Sequence, residues 1–213
     1  GEKENILENI NLSIPAGSFI GILGKTGSGK TTLANILAKF YETPAGKIFF
    51  NDIDINDIER KSFYEKFAYV MQDDYIYDNT IQHNIELYKK YNQNDIKDAV
   101  EKAELFDTIE KLDKKYNTLI GDNGIKLSGG QKQRLILSRN IVTNPNILII
   151  DNGFTGLDID TRKKVVDNLN NRNNKTTLVI ISSMMEDIKN ADKIYKLENK
   201  TLVKINMEEE VYD

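Results

Sequence analysis

Apolar residues in this chain fall into two patterns, and the alternation between them implies an architecture. Short unbroken apolar runs occur at residues 18–23, 67–71, 147–150 and 177–181. Runs of that length without polar alternation predict strands buried on both faces, as in a parallel sheet. Residues 47–50 predict another short strand. Residues 5–14, with Ile6, Ile10, Leu12 and Ile14 alternating with polar positions, predict a half-exposed antiparallel strand. The second pattern is helical. Leu33, Ile36, Leu37 and Phe40 share one face of a helix starting near Lys30, and Val165, Val166 and Leu169 share a face within residues 161–170. Pro15-Ala16-Gly17 and Thr43-Pro44-Ala45-Gly46 are turns. Strands alternating with helices predict an α/β fold around a mainly parallel sheet.

From residue 73 to about 140 the pattern changes. Charges, tyrosines and helical spacings dominate, such as Ile96, Val100 and Ala103, then Leu105, Ile109 and Leu112. This stretch predicts a mainly helical subdomain inside one domain of 213 residues. There is no internal repeat, and the Asn-rich residues 168–174 predict a loop. The longest apolar runs are far shorter than the roughly 20 residues a membrane span needs.

The run at 18–23 and the helix near Lys30 bracket Gly24-Lys25-Thr26-Gly27-Ser28-Gly29-Lys30-Thr31, followed by Thr32. This is G-x-x-x-x-G-K-[ST] in the strand–loop–helix setting that a phosphate loop requires. Glycines let successive backbone N–H groups curl around phosphate oxygens, and the helix N-terminus adds partial positive charge. Lys30 is expected at the β- and γ-phosphates, and Thr31 at Mg²⁺ through its hydroxyl. The expected ligand is a nucleoside triphosphate.

Composition narrows the possibilities. A net charge of −4 and a pI near 5.3 give no electrostatic footprint for nucleic acid. The absence of cysteine excludes disulfides and thiolate metal sites, and it fits a reducing compartment. No signal-peptide pattern is present. The sequence opens on a charged stretch at Gly1, as a domain cut from something longer does.

Two further stretches carry chemistry. The apolar run at 147–150 ends in Asp151, the Walker B pattern, whose carboxylate is expected to hold the water shell of Mg²⁺ opposite Thr31. In Leu127-Ser128-Gly129-Gly130-Gln131, Ser128 can cap a helix running on through Gln133, Leu135, Leu137 and Ile141. Its two glycines let a phosphate approach the backbone. With the phosphate loop, this pentapeptide resembles the signature of the ATP-binding cassette (ABC) family. The resemblance covers essentially the whole chain. Gln72 matches the family's Q-loop glutamine, and Leu157-Asp158 matches its D-loop. Residues 118–124 (TLIGDNG) and 79–85 (NTIQHNI) resemble exporter segments, the latter the one facing the membrane domain. Ala191-Asp192-Lys193-Ile194 matches the segment after the switch loop.

The resemblance implies a P-loop ATPase of ABC type with a mainly parallel core sheet, an N-terminal antiparallel β part and an inserted helical subdomain. It implies ATP and Mg²⁺ as ligands, with Thr31, Asp151 and Gln72 near the metal, the latter two through water. It also implies a head-to-tail dimer in which Ser128 and the N–H groups after it contact the nucleotide held by a second such domain. A transmembrane bundle fused on the N-terminal side, and a place on the cytoplasmic face of the cell membrane, follow from the same likeness. The family's adenine-stacking aromatic, about two dozen residues before the phosphate loop, has no counterpart here and is expected upstream of Gly1 or absent.

The family pattern breaks at two catalytic positions. Asn152 stands where a glutamate polarises the attacking water, and Ser183 stands where a switch histidine is expected. An amide can orient water but cannot accept its proton, and loss of a general base costs about 10²- to 10⁴-fold in rate. Gly153-Phe154-Thr155-Gly156 also departs from the usual Ala-Thr-Ser-Ala. Two losses on separate strands suggest the degenerate half of a heterodimeric exporter, binding ATP tightly and hydrolysing it slowly. A non-hydrolysing ATP sensor that regulates a partner ATPase is the alternative. A soluble cassette ATPase of repair or translation lacks support in coiled-coil insertions or basic surfaces, and a nucleoside kinase leaves residues 127–131 without a purpose. The lone histidine, His83, reads as a surface or packing residue. The tyrosines between 64 and 91 read as packing and a docking face, Glu208-Glu209-Glu210 as a solvated tail, and Lys163-Lys164 as too short for a nucleic-acid patch.

Overall fold

The computed structural model describes residues 5–72, 74–171 and 176–205. In chain order it contains β1 (Phe19–Leu23), α1 (Lys30–Leu37), β2 (Phe49–Phe50), β3 (Ile53–Asp54), α2 (Arg60–Tyr64), β4 (Phe67–Val70), β5 (Asn79–Thr80) and α3 (Ile81–Glu86). Then follow α4 (Gln93–Lys102), α5 (Phe106–Glu110), β6 (Leu119–Ile120), α6 (Gly129–Ile141), β7 (Ile147–Asp151), α7 (Ile159–Leu169), β8 (Thr177–Ser182), β9 (Lys193–Glu198) and β10 (Thr201–Ile205).

Six strands form one sheet in the order β10-β9-β1-β8-β7-β4. All neighbours are parallel except β10, which runs antiparallel to β9. The unbroken apolar runs are explained by cover on both faces. Alternate residues feed two separate clusters: Phe19, Leu148, Ile150, Leu178 and Ile180 pack on one side, and Ile20, Ile22, Ile149, Val179 and Ile181 on the other. Helix α1 covers the second face through Leu33, Ala34 and Ala38, while α6 and α7 cover the first through Leu135, Leu137, Val165 and Val166. A strand with apolar residues on both sides has no solvent face, so no polar alternation survives in its sequence.

The helical stretch forms α3 to α6, with α6 packed against α3, α4 and β4. Its turns carry side-chain caps from Thr80, Asn92 and Ser128. A short antiparallel pair, β5 with β6, brings the two exporter-like segments 79–85 and 118–124 together. Arg139 of α6 anchors the preceding loop: its guanidinium donates to the carbonyls of Asn84 (2.7 Å) and Tyr75 (2.8 Å) and lies over the Tyr77 ring. His83 is half-buried on α3, its backbone N–H donating to the Thr80 hydroxyl. Asp192, in the segment after the switch loop, accepts the Phe19 N–H at 2.8 Å and so fixes where β1 begins.

One expectation fails. Residues 5–14 form no strand, so the antiparallel β part is limited to β2–β3, β5–β6 and the β9–β10 edge. The alternation there is real, since Leu7, Ile10, Leu12 and Ile14 pack on the α1-side core. But Asn9 sits at φ 51, which breaks the extended backbone, and a ladder-like bond outside the segment runs from the Glu8 N–H to the Lys200 carbonyl. Packing without a partner strand gives the pattern of a strand without its hydrogen bonds. The predicted strand at 47–50 is likewise only two residues long. Glu208-Glu209-Glu210 and part of the Asn-rich loop lie outside the described residues.

Leu137 is fully buried where α6 meets the sheet. Leu137→Ala is expected to lower unfolding free energy by about 2–5 kcal/mol, read as a shift in the urea midpoint.

Candidate functional site

The carboxyl ends of β1, β7 and β8 deliver the candidate site. β1 runs buried as far as Leu23, and the chain then turns through Gly27 (φ 82) and Gly29 (φ 99), backbone conformations that glycine adopts freely. The Gly24 N–H donates to the Ser182 carbonyl at 3.1 Å, tying the loop to the end of β8. Helix α1 then starts at Lys30 with no side-chain cap and no acidic residue in its first turn. Its first N–H groups therefore point at the loop without an internal competitor for an anion. Lys25, Thr26 and Gly27 are exposed at the loop tip, and Thr32 is half-buried behind it. The Ser28 hydroxyl is buried without a protein partner.

Lys30 is buried, and its ammonium donates to the Gly24 and Lys25 carbonyls, each at 2.8 Å. Burial pulls its pKa below the usual lysine value, and the Asp151 charge partly offsets that pull. Asp151, at the end of β7, has no exposed surface and accepts the Thr31 hydroxyl at 2.6 Å. Burial raises its pKa above the usual carboxyl value, against opposing contributions from Thr31, Lys30 and Tyr69. The side chain of Asn152 donates to Gln72 Oε1 at 3.2 Å and reaches Asp151 Oδ1 at 3.3 Å. Thr31, Asp151, Asn152 and Gln72 are thus brought into one chain of contacts, within the electrostatic reach of Lys30. Asn152 adopts φ 49, a left-handed backbone that asparagine tolerates better than most side chains.

Ser183 is exposed just past β8. Behind it, the Ser182 hydroxyl donates to Asp187 Oδ2 at 2.5 Å, and Arg162 Nη1 lies 3.3 Å from Asp187 Oδ1. Arg162 Nη2 also reaches the carbonyls of Phe154 and Leu157, at 3.4 Å each. This buried pair joins the D-loop segment to the segment after β8. The sequence reading did not single out Arg162 or Asp187, because nothing in their spacing distinguishes them from surface charges.

The signature sits elsewhere. Ser128 and Gln131 form a reciprocal capping box: the Gln131 N–H donates to Ser128 Oγ at 3.2 Å, and the Ser128 N–H donates to Gln131 Oε1 at 2.9 Å. Leu127 packs on the first-face core. Gly129 has open space around it, whereas a Cβ on Gly130 would lie 2.7 Å from the Gly156 carbonyl oxygen. Among the described residues, no hydrogen bond joins residues 127–131 to the phosphate loop. Asp158 caps α7, accepting the Thr161 N–H at 2.9 Å and the Thr161 hydroxyl at 2.8 Å. These bonds hold its pKa below the usual carboxyl value.

The departure at residues 153–156 has a packing reason. Phe154 is buried in the first-face core, and a Cβ on Gly153 would fall 2.4 Å from Ile150 Cγ2. Gly156 takes φ 82 beside Gly129 and Gly130. Gly153 thus lets the chain lie close against Ile150 and Val70, and Gly156 lets it lie close against the backbone of Gly129 and Gly130.

The family described as ABC transporter matches residues 7–155. The chain belongs to the ABC transporter family. Its cassette is 34% identical over 201 residues to an ATP-dependent lipid A-core flippase of Haemophilus influenzae (strain 86-028NP), covering 93% of this chain and 34% of that protein. It is 31% identical over 213 residues to a putative multidrug export ATP-binding/permease protein of Bacillus subtilis (strain 168), covering 100% of this chain and 37% of the relative. A bacterial Atm1-family ABC exporter solved with ATP bound superposes with a TM-score of 0.86 at 30% identity, over 95% of this chain and 36% of that one. The chain spans about a third of the length of these relatives. Among the described residues no helix is long and apolar enough to cross a membrane.

The cassette's residues fit Mg²⁺ and a triphosphate. Thr31 and Asp151 offer hard oxygen donors, suited to a hard cation. Among the described residues no group of three or more His, Cys, Asp or Glu side chains converges, so such a cation needs water and phosphate oxygens as well. The unpartnered Ser28 hydroxyl suits a phosphate oxygen.

Burial also raises the Asp187 carboxyl above its ordinary value, while the bonds from Ser182 and Arg162 oppose the rise. A carboxyl whose folded value exceeds its unfolded one adds no penalty below the unfolded range. It destabilises progressively as pH rises to the folded value. A carbon-detected NMR titration is expected to place Asp187 above about 3.9. Ser182→Ala is expected to raise it further, because a hydrogen bond to the ionised form is lost.

Proposed function

We propose that residues 1–213 form a single ABC ATPase domain, its helical subdomain at about 73–140, serving as the nucleotide-binding domain of an exporter. The observation that carries this reading is buried Asp151 accepting the Thr31 hydroxyl near buried Lys30, with the Asn152 amide reaching both Asp151 and Gln72. Residues Gly24 to Thr32 wrap the phosphates of ATP, with Lys30 exchanging the loop carbonyls it now holds for β- and γ-phosphate oxygens. Thr31 holds Mg²⁺ through its hydroxyl, and Asp151 and Gln72 do so through water. The cation neutralises phosphate charge when bound. Asn152 orients a water without taking its proton, and Ser183 lacks the reach of a histidine, so hydrolysis at this site is slow.

Signature residues Leu127, Ser128, Gly129, Gly130 and Gln131 serve the ATP held by a second domain in a head-to-tail dimer, with the D-loop at Asp158 between the two. Their separation from the domain's own phosphate loop supports that role. The second domain is a heterodimer partner with its own glutamate and histidine. A transmembrane domain, fused on the N-terminal side, places the assembly at the cytoplasmic face of the membrane and carries the transported substrate. Nucleic acid has no part in the function. The paired replacements Asn152 and Ser183 also favour a second reading, a non-hydrolysing ATP sensor that controls a partner ATPase. Dimer formation with ATP but no turnover in either site distinguishes it.

Single-turnover ATP hydrolysis by the domain is the test. Wild type is expected to be slow, and Asn152→Glu combined with Ser183→His is expected to speed the reaction by about 10²- to 10⁴-fold. A wild-type rate equal to that of an intact homologue overturns the proposal of a degenerate site.

A further inference from the structure

Ser183, at the switch position, is exposed, and its hydroxyl makes no hydrogen bond among the described residues. Its place is therefore set by its neighbours. The chain is fixed on both sides of it. Ser182 ends β8 in register with Leu23, and its carbonyl accepts the Gly24 N–H of the phosphate loop at 3.1 Å. Ile188 is buried against β1, where a Cβ on Gly21 would fall 2.6 Å from the Ile188 Cβ. Residues 183–187 between these points form no strand and hold one short turn, Met185–Asp187. Ser183 and Met184 are both exposed, so apolar burial does not hold this end of the span.

Polar contacts hold it instead, and they converge on Arg162 of α7. The Ser182 hydroxyl accepts the Met184 N–H at 3.0 Å and donates to Asp187 Oδ2 at 2.5 Å. Arg162 Nη1 lies 3.3 Å from Asp187 Oδ1 and donates to the Met184 sulfur at 2.7 Å. Arg162 stands in the first turn of α7, which Asp158 caps, and its Nη2 reaches the Phe154 and Leu157 carbonyls. One guanidinium, seated on that platform, thus grips both neighbours of Ser183: Met184 directly, and Ser182 through Asp187. We propose that Arg162 is a positioning residue for Ser183, fixing how the switch position is presented to the γ-phosphate of a nucleotide on the phosphate loop. Stability alone accounts poorly for the pair. Arg162 Nε is buried without a partner, and a buried ion pair that leaves a donor unused gains little over apolar packing. Among the described residues no hydrogen bond joins Arg162 to residues 24–32, so its effect falls on presentation and not on the grip of the phosphates.

This inference rests on the preceding reading of Ser183 as facing the γ-phosphate, and the experiment separates the two. The chain has no cysteine, so Ser183→Cys supplies a unique thiol. Its rate of reaction with N-ethylmaleimide is measured with and without MgATP, alone and combined with Arg162→Gln or Asp187→Asn. Affinity for a fluorescent ATP analogue is measured on the same proteins. With Arg162 in place, MgATP is expected to slow labelling by about fivefold or more. With Arg162→Gln, the analogue is expected to bind as it does to the Ser183→Cys parent, while most of that protection is lost. Asp187→Asn removes the charge but keeps an acceptor for Ser182. It is expected to act in the same direction by a smaller factor, and it carries the test alone if Arg162→Gln does not fold. Protection that neither substitution changes overturns the proposal. Analogue affinity that falls in parallel with protection also overturns it, because that is the mark of a merely structural role. A parent that MgATP does not protect, whether or not it binds the analogue, overturns both this proposal and the reading of Ser183 beneath it.

Discussion

An ammonium and a carboxylate, Lys30 and Asp151, lie buried at the carboxyl edge of a parallel sheet, and the rest of the site is arranged around that constraint. Burial pushes each of them toward its neutral form, the lysine down and the carboxyl up, and each one's field opposes the other's shift. Among the described residues neither makes a direct ion pair: Lys30 is satisfied by two loop carbonyls, and Asp151 by the Thr31 hydroxyl and the Asn152 amide. Such an arrangement is costly as pure structure, because buried charges need close, complete pairing to repay desolvation. Under the proposed function, a polyanion and a cation between the two groups would offset that cost.

The sheet makes that arrangement possible. Parallel strands covered on both faces end together at one edge, and β1, β7 and β8 release their chains there in register. The Gly24 N–H bonds to the last residue of β8, and the Asn152 N–H bonds to the Ile181 carbonyl. Loop, carboxylate and the segment carrying Ser183 are thus fixed by backbone bonds before any side chain acts. Under the proposed function, Asn152 and Ser183 on that rigid edge would alter chemistry without disturbing the frame. The left-handed backbone at Asn152 and the Phe154 packing at residues 153–156 show the local chain adjusted to its own residues.

A second buried pair ties distant parts of this edge together. Arg162 reaches two carbonyls of the segment leading to Asp158 and the carboxylate of Asp187, which in turn holds Ser182. The capped start of α7 and the end of β8 therefore share one guanidinium. On the other side of α6, Arg139 does the same for the loop at 74–77 and α3. In each case one arginine donates to two backbone oxygens of neighbouring turns and segments, which is what a planar five-donor group does well.

Patterns local in the chain were legible without coordinates. The phosphate loop, the strand ending in Asp151, the Ser128 cap and the helical stretch are each set by neighbours a few residues apart, through backbone conformation, helical spacing and capping. The family itself was readable for the same reason, since its motifs are short. Residues 5–14 show where this fails: alternation records which side chains touch the core, but a strand also needs a partner's hydrogen bonds, and Asn9 and the surrounding sheet decided against them. The contacts of Tyr69 with Asn35 and of Arg162 with Asp187 were invisible for a related reason. Their partners are 34 and 25 positions away along the chain, and only the parallel register of β4 on β7 and the packing of α7 beside β8 bring them into reach.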